Sequence, residues 1–158
     1  HYLCAKIFKI RLRNISKVMI EFFHEGDFSL SSIDDYSHWI NRIIESEKFF
    51  LGDINYIFCE DDYLVKINQK HLSHNSFTDI ITFDYSEGQV VSGDIFISTE
   101  RVADNANIFN RTFQEELLRV MAHGILHLLG YNDKTKDQVK VMRNKEEEMI
   151  KLFHVEQN

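Results

Sequence analysis

The chain has 158 residues, 44% of them hydrophobic and 27% charged, the composition of one soluble globular domain large enough to bury a core. Its formal net charge of −7 argues against broad, non-specific nucleic-acid binding through phosphate neutralisation. No apolar run approaches the roughly 18 residues of a spanning helix. Cys4 and Cys59 are isolated, with no C-x-x-C spacing, so a membrane protein and a disulfide scaffold are set aside in favour of a reduced, cytoplasmic protein.

Residues 1–18 carry Lys6, Lys9, Arg11, Arg13 and Lys17 and no acid. They lack the apolar h-region of a secretory signal. We read them as an upstream extension or expression remnant, with Met19 as the natural start of a single domain over 19–158. Without those five cations, 13 basic residues face 25 acidic ones, a net charge of −12. Any contact with nucleic acid must then be a local patch or a guided encounter.

Met19–His24 reads as a first strand. Ser31, Ser32 or Asp34 caps a helix over about 33–48, with Trp39, Ile40, Ile43 and Ile44 as its buried stripe. Asp53–Cys59 alternates Ile54, Tyr56 and Phe58 with its neighbours, a second strand. Asp61 and Asp62 start a short helix through Leu64, Val65 and Ile67. Thr78–Tyr85 is a third strand, Glu87-Gly88 a turn, and Ser92–Ser98 a fourth strand carrying Ile95 and Ile97. Helices follow over Thr99–Phe109, Phe113–Leu129 and, with a polar face, Lys136 to Phe153. Strands early and helices late give an α+β fold, a mixed four-stranded sheet packed with helices.

The chemistry concentrates in Met121–Lys134. His123 and His127 are four residues apart on a helix of buried type, so both imidazoles lie on one face and point at one spot. Gly130 can take the left-handed conformation that ends the helix and reverses the chain, which brings Asp133 back to the same place. This is zincin-like spacing: two histidines at i and i+4, a glycine three residues on and a third ligand three beyond it. Gly124 stands where a zinc protease carries its general-base Glu, so peptide hydrolysis by that route loses its base. Two histidines and one carboxylate suit one Zn²⁺ per chain with a coordination position left open. One carboxylate leaves the site a formal charge of +1, where three histidines leave +2.

His123-Gly-Ile-Leu-His-Leu-Leu-Gly-Tyr131 resembles the signature of the YbeY family of bacterial endoribonucleases and rRNA maturation factors, H-G-x-L-H-L-x-G-Y-D-H. Asn132 stands for the family's Asp, and Asp133 for its third His. A second stretch, from Ile67-Asn68 through Thr78-Asp79-Ile80-Ile81-Thr82-Phe83 to Ser92-Gly93-Asp94-Ile95-Phe96-Ile97-Ser98, is similar to the family's middle segment. The resemblance covers about residues 55–133. Within it the family's Arg falls on Leu72, its Lys on His74, its Asp on Asn75 and its Pro on Phe77. Leu72 cannot bind phosphate; His71 and His74 either take over a polar role or are surface loop histidines.

The resemblance implies a zinc-dependent, single-strand-specific endoribonuclease in 16S rRNA 3′ end maturation and ribosome quality control, with His123, His127 and Asp133 acting through the metal. It implies single-stranded RNA or rRNA, the ribosome or its proteins, and a ribosome-associated GTPase as partners. Two other readings stand beside it. One is an assembly or RNA-binding factor with little catalysis, favoured by Leu72 and the acidic body. The other is a non-haem Fe(II) enzyme, since the same ligand types bind iron. Asp79 and Asp94 are either acceptors that orient a ligand imidazole or strand-edge caps. Lys134, Lys136, Lys140 and Arg143 are either a phosphate-facing rim or a solvated helix face. Glu146–Glu148 reads as solvated surface or helix pairing with Arg143 and Lys151.

Overall fold

A computed structural model describes residues 19–72 and 78–156. The basic segment 1–18, His74, Asn75 and Phe77, and the side chains of His71 and Leu72 lie outside the described residues. The elements run β1 (Ile20–His24), α1 (Ile33–Ser46), β2 (Phe50–Cys59), α2 (Asp61–Leu72), β3 (Ile80–Asp84), β4 (Val90–Ser98), α3 (Thr99–Ile108), α4 (Phe113–Leu128) and α5 (Lys136–Glu156). The fold is α+β. Its strands form one mixed sheet in the order β1-β2-β4-β3, with β1, β2 and β4 parallel and β3 antiparallel to β4 at the edge.

The two-residue period of β2 and β4 sorts their side chains onto two faces. Ile54, Tyr56, Phe58, Val91, Ile95 and Ile97 meet α1, α3, α4 and α5 in the larger core. Ile57, Cys59 and Phe96 face the other way, onto Leu64 of α2 and Ile81 of β3. Both faces are covered, as parallel strands require. That is why the alternation along 53–59 ends in consecutive buried residues rather than polar ones.

Helix α1 buries Trp39, Ile40, Ile43 and Ile44 as its spacing predicts. Its start differs from the capped one expected. Ser32 holds the N-cap position, but with a left-handed φ of 55° and no side-chain cap bond. Packing therefore holds this helix, with the Trp39 indole N–H donating to the Met149 carbonyl of α5 at 2.7 Å.

Helix α4 is fixed at both ends. Thr112 and Glu115 form a reciprocal capping box, Thr112 Oγ1 accepting from the Glu115 N–H at 3.1 Å and Glu115 Oε2 from the Thr112 N–H at 2.8 Å. In between, the helix rests on the sheet so closely that a Cβ at Gly124 would lie 2.9 Å from both Ile80 Cδ1 and Ile95 Cγ2. The protease-type Glu is thus excluded by packing as well as by sequence. Among the described residues no helix is long and apolar enough to cross a membrane.

This contact predicts an inverted substitution effect. Helix propensity alone would make Gly124→Ala stabilising by about 1 kcal/mol. Overpacking typically costs about 1–3 kcal/mol. We expect a net loss of about 1 kcal/mol in urea unfolding; a gain would refute the close approach.

Candidate metal centre

From Glu116 to Leu129 every residue is buried except Arg119, His123 and His127. These three recur at i, i+4 and i+8, one stripe along an otherwise enclosed helix. The helix then closes with a Schellman turn: Gly130 N–H donates to the His127 carbonyl and Tyr131 N–H to the Leu126 carbonyl, each at 3.0 Å. Gly130 sits at φ 100°, open to glycine and strained for other residues. The reversed chain places Asp133 Oδ2 at 3.3 Å from His123 Nε2 and 3.4 Å from His127 Nε2. The two Nε2 atoms are 2.9 Å apart.

The outer ring nitrogens set the tautomers. His123 Nδ1 lies 2.9 Å from Glu146 Oε2, and His127 Nδ1 lies 3.0 Å from the Tyr131 carbonyl oxygen. A carboxylate and a carbonyl only accept, so each Nδ1 carries the proton and each neutral ring directs its Nε2 lone pair inward. Two nitrogen lone pairs and a carboxylate oxygen then face one point. That arrangement repels itself unless positive charge sits between them.

A metal ion fits this demand. Tetrahedral coordination with bonds of about 2.0–2.1 Å sets donor atoms roughly 3.3–3.4 Å apart. The Asp133 separations match, and the two imidazoles need to open by a few tenths of an ångström. His123, His127 and Asp133 could hold a metal ion, and their donor set suits zinc and Fe(II) alike. Electrostatics point the same way. Burial pulls the His123 pKa down, but the Glu146 hydrogen bond and the charges of Glu146, Asp133 and Asp79 together outweigh it and raise it.

A cleft of about 340 Å³ opens beside the centre, with Asp79, Glu116, Arg119, Asp133, Arg143 and Glu146 among its lining. Asp79 faces it from the start of β3, and burial raises its carboxyl pKa against the lowering effect of His123. The imidazole-acceptor role considered for Asp79 belongs instead to Glu146. Asp94 is elsewhere, its Oδ1 accepting from Asn55 Nδ2 at 2.9 Å across the sheet. Of the expected cationic rim, Arg143 lines the cleft and the three lysines do not.

Glu146 is not the solvated residue expected: it is 5% exposed, bonded to His123 and to Arg119 Nη1 at 3.2 Å. The missed signal is its place between Met142 and Met149 on the buried stripe of α5, where a carboxylate needs a partner. Tyr131 is held from its far end. Its hydroxyl donates to Glu47 Oε2 at 2.7 Å, and Lys145 Nζ to Glu47 Oε1 at 2.8 Å.

The endoribonuclease YbeY family model matches residues 23–154. The chain belongs to the YbeY family. An endoribonuclease YbeY of Christiangramia forsetii is 55% identical over 143 residues, covering 90% of this chain and all of the relative. That of Flavobacterium johnsoniae is 54% identical over 139 residues, covering 88% of this chain and all of the relative. The solution structure of TM1509 from Thermotoga maritima is similar with a TM-score of 0.61 and 32% identity, over 87% of this chain and 93% of that one. The YbeY signature maps onto the end of α4 and the Schellman turn.

Two predictions follow from the geometry. Glu146→Gln keeps the shape but weakens the acceptor, and metal affinity measured by competition with a chelator should fall about 10–100-fold. An unchanged affinity would make Glu146 irrelevant to the centre. The second concerns pH. In the metal-free protein the protonated His123 ring stabilises the fold, fully below the ordinary value of 6.5 and no longer once pH rises through the raised one. A metal needs the deprotonated Nε2, so its stabilisation grows over that range. The Tm gap between zinc-loaded and chelator-treated protein should widen from about pH 6 to about pH 8; a constant gap would remove His123 from the ligand set.

Proposed function

We propose that the protein is a zinc-dependent, single-strand-specific endoribonuclease that acts in rRNA processing, at 16S rRNA 3′ end maturation, and in ribosome quality control. The observation that carries this reading is the convergence of His123 Nε2, His127 Nε2 and Asp133 Oδ2 within hydrogen-bonding distance of one another beside an open cleft. It is supported by family membership and by the activity named for the relatives. The substrate is single-stranded RNA, whose backbone can bend into the cleft. Ribosomal proteins and a ribosome-associated GTPase bring the protein to its RNA in the cytoplasm.

When bound, zinc supplies Lewis acidity to a phosphoryl oxygen and makes water a better nucleophile near neutral pH. The chain does the rest. Glu146 and the Tyr131 carbonyl hold the two imidazoles in their ligand tautomers, and Asp133 reduces the net charge of the centre. Three protein ligands among the described residues, rather than four, favour a catalytic ion over a structural one. Asp79, with its carboxyl raised by burial, is placed to exchange a proton with the RNA.

The second reading is a ribosome-assembly or RNA-binding factor with little catalysis of its own. The acidic body and Leu72 at the family's Arg position favour it.

A labelled single-stranded RNA and the zinc-loaded protein separate these readings, with metal content measured on the same samples. His127→Ala and Asp133→Ala should lose zinc and cleavage together, while Asp133→His keeps both. Asp79→Asn should keep zinc and lower kcat by about 10² or more. Cleavage that survives both alanine variants would point to a contaminating ribonuclease and sink the proposal. Stoichiometric zinc without cleavage would favour the assembly factor, and iron after anaerobic purification would replace the metal.

A further inference from the structure

We propose that Arg119 and Arg143 form a phosphate clamp in the cleft beside the metal centre, gripping the RNA backbone next to the bond that is cut. The inference rests on the proposal that single-stranded RNA is the substrate. It starts from the stripe on α4. Over Glu116–Leu129 only Arg119, His123 and His127 escape burial, and Arg119 lines the same cleft as His123, one helical turn upstream.

Arg119 is under-used where it stands. Its Nη1 donates to Glu146 Oε1 at 3.2 Å, while its buried Nε has no hydrogen-bond partner. A buried, charged N–H left unpaired is costly, and folded proteins leave few of them. Holding Glu146 would occupy one donor and does not account for the rest of the guanidinium. Nε and Nη2 form one planar edge, the edge that takes two phosphate oxygens at once when the side chain turns outward from its buried position.

Arg143 supplies the second cation. It is exposed on α5, lines the same cleft, and makes no ion pair among the described residues. The acids facing the cleft are mostly answered. Glu116 Oε2 lies 3.0 Å from Arg111 Nη1, Glu146 is bonded to His123 and Arg119, and Asp133 faces the centre. Asp79 is the remaining carboxyl. In a chain with a net charge of −7, two arginines thus line the cleft beside the centre.

The test uses the zinc-loaded full chain and the variants R119Q, R119K, R143Q and R119Q/R143Q. The probe is a fluorescent single-stranded 2′-O-methyl oligonucleotide, followed by anisotropy over a range of salt concentrations. Zinc content, zinc affinity and the KM and kcat for an unmodified RNA are measured on the same samples. The clamp predicts retained zinc and affinity for the probe weakened about five- to tenfold by each glutamine. The slope of log affinity against log salt should shrink by about 0.7 for each arginine removed. R119K should recover the slope but not the full affinity, because an ammonium lacks the fork. KM should rise more than kcat falls.

Unchanged slopes in R119Q and R143Q overturn the clamp. So does a binding loss confined to R119Q that tracks lost zinc, which would make Arg119 a support for Glu146 only. A wild type that binds the probe but cuts no RNA sinks the nuclease proposal, while the slopes still judge the clamp. A wild type that neither binds nor cuts sinks both.

Discussion

Glu146 and the Tyr131 carbonyl each accept from the Nδ1–H of one imidazole, and the two Nε2 lone pairs are left to meet a third acceptor, Asp133. Much of the molecule serves to impose that unfavourable meeting. The sheet supports α4 through the side-chain-free Gly124, α5 carries Glu146 on its buried stripe, and the Schellman turn delivers both the Tyr131 carbonyl and Asp133. The repulsion stored there is what a cation relieves. Metal affinity in such a centre comes from preventing the donors from turning away, as much as from the donors themselves.

The same helix explains why the centre opens on one side only. Between Glu116 and Leu129 this helix leaves only Arg119, His123 and His127 short of burial, at i+4 intervals. Charge follows the same economy. An acidic chain keeps Arg111, Arg119 and Arg143 near the cleft, two of them answering buried carboxylates.

The order of strands and helices was legible because their apolar periods are clean: Ile54, Tyr56 and Phe58 on β2, and Trp39, Ile40, Ile43 and Ile44 on α1, lie where those periods put them. The histidine pair and the turn glycine were legible because metal chemistry and helix termination each fix a spacing. What escaped the sequence depends on distant contacts. Ser32 has the right side chain for a cap but a backbone that prevents it. Glu146 sits in a run of three glutamates, and only the docking of α5 separates it from the exposed Glu147 and Glu148. Arg119 drew no reading from the sequence; only the burial of the other residues between Glu116 and Leu129 sets it apart with His123 and His127.

The bond from Tyr131 to Glu47 spans 84 residues of sequence, and that from Lys145 to Glu47 spans 98. Through them the carbonyl that orients His127 is tied to the end of α1 and to α5. The histidines can share a helical face early in folding, and His127 finds its acceptor in the adjoining turn, but His123 meets Glu146 only when the last helix has docked on α4. The candidate centre is therefore complete only in the assembled fold. A chain that has folded halfway carries the motif and not the arrangement that could hold a metal ion.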